Sequence, residues 1–178
     1  MGLVEMTFGA SEFLWGAETP RNLGTTRDGG RFLYEMITVN QVAHSTGATP
    51  YRTFVVGRNV VVQVELLEYT IENLSMIISD GVLRTDPQDP DNQAIDIAWS
   101  AGNALAADQL LLHPVGASSS AHDIVLWKAV VLPGIEFVTH VERERVFRVR
   151  FQALIDEDDV GNKRLARLGD RLIVPTAW

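Results

Sequence analysis

Thr53–Leu67 reads TFVVGRNVVVQVELL, and its second half decides the fold class. Val60, Val62, Val64 and Leu66 alternate with Gln63 and Glu65, a period of two that puts one row on a core and the other toward solvent. β-branched residues dominate the stretch, which suits a pleated strand better than a helix. Gly57-Arg58-Asn59 interrupts the run and predicts a bulge or a turn. Upstream, Arg31–His44 (RFLYEMITVNQVAH) alternates more loosely, with Phe32, Tyr34 and Met36 on one face and Leu33, Ile37, Val39 and Ala43 on the other. Ser45-Thr46-Gly47-Ala48-Thr49-Pro50 joins the two as a turn. The whole region reads as one long hairpin whose tip, residues 45–52, projects.

Downstream, Thr70–Asp80 is the one stretch with helical periodicity. Ile71, Leu74, Ile77 and Ile78 recur on one side, and Ile71, Leu74 and Ile78 are expected to pack the helix on the sheet. Thr70 is a suitable N-cap, Glu72 complements the N-terminal dipole, and Gly81 is a natural stop. Residues 85–93, with two prolines and three aspartates, predict an acidic loop. Strands are expected again at Ala94–Trp99, Gln109–His113, Asp123–Leu132 (nearly all apolar, hence covered on both faces) and Arg143–Asp156. In the last of these Phe147, Val149, Phe151, Ala153 and Ile155 form one apolar row. A basic segment, Lys163–Arg171, and a short strand at Leu172–Val174 close the chain. Residues 16–30 have no hydrophobic periodicity and read as an excursion that does not hold the core. The expectation is a single domain, 1–178, all-β with one short flanking helix: a sandwich or partial barrel whose open edges are completed by oligomerisation.

The 178 residues carry a net charge of −8, with 46% hydrophobic and 21% charged residues. This is globular composition, and it argues against a protein that works by neutralising phosphates along a basic stripe. Cysteine is absent, which removes disulfides, thiolate nucleophiles and zinc-thiolate sites. No apolar run approaches a membrane span, and no basic, apolar leader opens the sequence.

A search for chemistry finds residue types without the spacing that would use them. His44, His113, His122 and His140 contain no i, i+4 pair for a metal. Ser118-Ser119-Ser120, His122 and Asp123 hold the types of a hydrolase triad, but neighbours on a strand do not converge on one reacting atom. Asp86, Asp89 and Asp91, and the turn Asp156–Asp159, lack the frame of a calcium loop. Gly24–Gly30 lacks the Gly-Lys-Ser/Thr of a phosphate cradle. Trp15, Trp99, Trp127 and Trp178 are not spaced as a base-stacking platform. No catalytic residue, cofactor or metal is therefore expected, and the chain is not expected to be an enzyme.

The pattern resembles the tail tube (major tail) proteins of long-tailed bacteriophages and related phage-derived tails. Three stretches carry the resemblance in order along the chain: the opening FLWGAETP (Phe13–Pro20), the strand-to-helix passage VVVQVELLEYTIENLSMIIS (Val60–Ser79), and the late strand VFRVRFQALIDED (Val146–Asp158). The resemblance implies a β-sandwich subunit that forms hexameric rings, whose inner sheets join into one barrel. The rings stack into a tube of the virion, assembled in the host cytoplasm, through which DNA and the tape-measure protein pass. The partners implied are further copies of the chain, the tape-measure and other tail proteins, and DNA sliding without sequence-specific binding along an acidic wall; no membrane is involved. On this reading Thr46, Gly47, Thr49, Tyr51 and Arg52 contact the next ring, since Tyr and Arg are enriched where proteins meet, and Thr19, Arg21 and Leu23 contact a neighbouring subunit. Arg148 and Arg150 sit awkwardly with an acidic lumen and would pair with acidic neighbours at an interface. The alternatives are the tube protein of a contractile or type VI secretion-like injection system, and a β-barrel small-molecule binding module with a pocket lined by Trp99 and Trp127.

Overall fold

The computed structural model describes all residues except 1–3, 8–9, 43, 45–46, 68–69, 79–80, 98–103, 133–135, 139–145, 158–160 and 175–178. Strands dominate. Two of them, β4 (Thr26–Val42) and β5 (Pro50–Leu66), are each 17 residues long and pair antiparallel into the expected hairpin. Arg58 and Asn59 make no turn. The ladder runs straight through, with Ile37 opposite Gly57 and Thr38 opposite Val55, so the irregularity is a bulge at Val56.

The hairpin is part of a ten-stranded sheet. Its other members are β1 (Val4–Thr7), β2 (Ser11–Trp15), β3 (Arg21–Asn22), β8 (Ala107–Pro114), β9 (Ile124–Val131), β10 (Glu136–Val138), β11 (Val146–Ala153) and β14 (Ala166–Leu168). The main path runs β1-β4-β5-β11-β9-β8-β2-β3, with β10 beside β11 and β14 beside β9. Strands β1 and β2 lie at opposite ends of this path, yet only three residues separate Thr7 from Ser11. Likewise only three separate Asn22 of β3 from Thr26 of β4. A trans peptide chain extends at most about 3.6 Å per residue, so the two ends of the sheet lie close together and the sheet curls over on itself. Side chains close the seam. Phe13 of β2 packs so tightly on Gly30 of β4 that a Cβ there would stand 2.4 Å from Phe13 Cζ. The Trp15 and Phe151 rings lie 5.2 Å apart, centroid to centroid.

The core fills the inside of this curl with the residues that the alternation selects: Phe32 from β4, Val60, Val62, Val64 and Leu66 from β5, and Phe147, Val149, Phe151 and Ala153 from β11. In β9 two residues, Trp127 and Lys128, oppose the single Gln109 of β8. This bulge switches the core-facing parity from Ile124 and Leu126 to Ala129 and Val131. Val125 and Val130, on the opposite parities, are also buried, as a doubly covered strand requires.

Helix α1 spans Ile71–Ile77. Thr70 caps it by accepting the Asn73 backbone N–H at 3.1 Å. The fully buried positions are Asn73, Leu74 and Ile77. Ile71 is half-buried, and Ile78 is the partly buried C-cap whose N–H bonds Leu74. The expected residues 79 and 80 lie outside the described residues. The remaining strands form two small ribbons: β6 (Gly81–Thr85) with β7 (Gln93–Ile97), and β12 (Asp156–Glu157) with β13 (Lys163–Arg164).

Three expectations are corrected. Residues 16–30 do hold the core, because β3, Leu23 and the first residues of β4 belong to it or to its sheet. Ile155 is 65% exposed, since the chain leaves the sheet after Ala153. Leu172–Val174 forms no strand and is exposed; this segment turns back on Asp170, whose carboxylate accepts the Leu172 N–H.

Candidate functional site

Beyond Met36 and Arg58 the β4–β5 hairpin leaves the core and continues as a two-stranded arm. Six residues of β4 and eight of β5 lie in this part, which at about 3.3 Å per residue reaches roughly 20 Å. Its apolar residues stay about half exposed: Ile37, Val39, Val42, Phe54, Val55 and Val56 are between 45% and 60% exposed. Cross-strand register puts Val39 and Phe54 side by side on one face and Val55 and Thr38 on the other, so both faces carry apolar surface. Among the described residues both edges are open as well. β1 covers β4 only at Arg31–Tyr34, and β11 covers β5 only as far as Val61. A strand pair with apolar faces and two unpaired edges is a template for another chain.

At the tip, Gly47 has φ +62° with nothing within 4 Å of a Cβ placed there, a turn glycine in open space. Tyr51 is exposed, with the Arg52 guanidinium 5.3 Å from its ring centroid. Thr49 is exposed too, and Thr46 lies outside the described residues. Of the expected side contacts, Thr19 and Arg21 are exposed. Leu23 is not available to a neighbour: it is 0% exposed in the chain's own core. Its N–H donates to Phe13 O at 2.8 Å, and the buried Asn73 side chain donates to Leu23 O at 3.0 Å. These two bonds satisfy the backbone as it turns inward and so permit full burial of the side chain.

A polar cluster that sequence reasoning missed surrounds Asp123, whose side chain is 1% exposed. His113 Nδ1 donates to Asp123 Oδ1 at 2.6 Å, and His113 Nε2 faces Ala117 O at 3.2 Å. Arg171 Nε stands 3.2 Å from Asp123 Oδ2, close enough to pair but not aligned as a hydrogen bond. The Asp123 hydrogen bond raises the His113 pKa above its usual value, against the opposing effect of burial. Acceptors at both ring nitrogens favour the protonated imidazole. In that form it offers no lone pair to a serine, and Ser120 Oγ donates to Asp170. The cluster ties the β8–β9 turn to the C-terminal segment and is not a triad.

Among the described residues no group of three or more His, Cys, Asp and Glu converges as a metal site. In the 85–93 loop, Asp86 and Asp89 accept the N–H groups of Gln88 and Asp91. Trp127 lies under Arg164 at 3.9 Å and Arg167 at 5.3 Å from its ring centroid, so its face is occupied by guanidinium groups. Trp99 lies outside the described residues. A concavity lies elsewhere, on the solvent face of β4, β5 and β11 beside Arg31 and Arg150.

The sequence matches no known family and no curated protein.

Proposed function

We propose that this chain is the structural subunit of a tail tube, which associates with copies of itself into stacked hexameric rings and carries no catalytic function. One observation supports the reading above the others: the β4–β5 arm leaves the core with apolar residues on both faces and, among the described residues, both edges open. A protein that stayed monomeric would keep an aggregation-prone template in water. A protein that completes the sheet with its neighbours removes the edges, as closing a barrel does.

On this reading the arm and its tip, around Gly47, Thr49, Tyr51 and Arg52, seat against the next ring. The net charge of −8 per subunit keeps DNA from adhering as it slides through the lumen. Tape-measure protein and DNA would pass through the tube in the virion. The tube of a contractile or secretion-type injection system is the same assembly with a different surround. The test is negative-stain electron microscopy of the purified protein beside a variant in which Thr46–Thr49 is replaced by Gly-Gly. Rings and tubes from the wild-type chain, with single rings accumulating from the variant, are expected. A strictly monomeric wild-type protein at high concentration refutes the reading.

A further inference from the structure

The face of β4, β5 and β11 turned away from the core has a composition of its own. Arg31, Gln63 and Arg150 stand in one row across the three strands, and Glu65 and Arg148 form the next row. Strand spacing of about 4.8 Å puts the Arg31 and Arg150 backbones roughly 10 Å apart. With Asp28 on the rim, these residues line a concavity of about 640 Å³. Arg148 Nε donates to Glu65 Oε1 at 2.7 Å, which engages one of the two carboxylates. Arg150 is exposed and has no ion-pair partner among the described residues. The lining thus carries three arginines against two carboxylates, in a chain of net charge −8.

The same chain holds a complementary surface. Between β6 and β7 the tip Thr85–Asn92 (TDPQDPDN) carries Asp86, Asp89 and Asp91 and no cation. Asp89 and Asp91 are exposed, and no ion pair reaches either among the described residues. The β6–β7 ribbon is not part of the large sheet. Pro87 and Pro90 restrict the tip, which lowers the ordering cost of docking it.

We infer that the Arg31/Arg148/Arg150 concavity of one copy receives the Asp86–Asp91 tip of a second copy. Concavity and tip are different surfaces, so each subunit offers one to either side. Such a head-to-tail contact closes into a ring or extends as a filament. The inference rests on the self-assembly reading above and names one contact within it. A nucleic acid is the less suitable occupant, because a long run of phosphates would meet the repulsion of the whole acidic chain beyond this one concavity.

The experiment is a charge reversal with rescue, read by sedimentation velocity and electron microscopy. Arg150→Glu alone, and Asp89→Lys with Asp91→Lys alone, are each expected to weaken association at least tenfold. Unchanged thermal unfolding of the dissociated subunit would show that the fold survives. Mixing the two reversed proteins should restore mixed contacts. Because the chain has no cysteine, Arg150→Cys mixed with Asp89→Cys gives a second readout: oxidation should yield a disulfide-linked pair between copies. Normal assembly by Arg150→Glu together with no crosslink overturns the inference and leaves the tube reading intact. DNA binding that depends on Arg150, with assembly unaffected, also overturns it. A wild-type chain that never associates removes the tube reading itself, and this inference with it.

Discussion

The Gly30–Phe13 contact is the sharpest place to test how the sheet closes, because Gly30 lies in β4 and Phe13 in β2, far apart along the sheet path. Replacing Gly30 with alanine adds one methyl group at a position 2.4 Å from Phe13 Cζ and 2.9 Å from Cε1. Ordinary carbon contacts need about 3.5 Å or more, so the ring must move by about an ångström. Phe13 is 0% exposed, with Leu23, Phe32 and Phe151 in the same core, so it has no open space to move into. Overpacking of this kind costs about 1–3 kcal/mol. At about 2–4 °C per kcal/mol for a chain of this size, the melting temperature of Gly30→Ala should fall by roughly 2–12 °C. Backbone strain does not enter, because Gly30 has no positive φ. The assay is urea and thermal unfolding at fixed protein concentration, with Phe13→Leu and the double variant completing a cycle. Shortening the ring makes room for the methyl, so the double variant should be more stable than the two single losses added together. A Gly30→Ala protein as stable as wild type, or a strictly additive cycle, would mean that β2 does not lie over β4.

Two further outcomes follow from the buried helix face and the buried aspartate. Leu74→Ala should destabilise by about 2–5 kcal/mol, since the side chain is buried in the core cluster; an unchanged urea midpoint would detach the helix from the core. The folded-state pKa of His113 is raised, so its contribution to stability is complete below the unfolded value of about 6.5 and is lost as pH rises through the folded value. Urea unfolding between pH 5.5 and 8.5 should therefore show wild type losing more stability than His113→Gln, and parallel curves would refute the charged pairing with Asp123.

What could be read from the sequence was whatever repeats along it. Val60–Leu66 and Phe147–Ala153 announce their buried faces through alternation alone, and Thr70 with the apolar stripe after it announces the helix. Leu23 could not be read this way. It lies between two short strands without periodicity, and its burial depends on Phe13 and Asn73, residues 10 and 50 positions away that supply its backbone partners. The His113–Asp123 pair was hidden for a similar reason. Leu112 stands opposite Ile124, so the register of the β8–β9 hairpin makes the next residues, His113 and Asp123, neighbours; the turn between them gives no signal of that register. The open arm was legible as a hairpin, but its bareness was not. Exposure of Val39 and Phe54 follows from where β1 and β11 stop pairing, which is a property of the whole sheet.

The partnership of β5 with β11 sets a timetable for synthesis. Leu66 and Phe147 are paired in the finished sheet, yet about 80 residues must leave the ribosome between them. At roughly 5–20 residues per second that is an interval of about 4–16 s. A hairpin such as β4–β5 forms in microseconds once both strands are available. For several seconds the nascent chain therefore displays Val60, Val62, Val64 and Leu66 together with the apolar arm, and neither has a permanent cover. The arm is complete before the core behind it is. Polysomes translating neighbouring copies would bring such half-made hairpins together, an aggregation-prone exposure that lasts until β11 emerges.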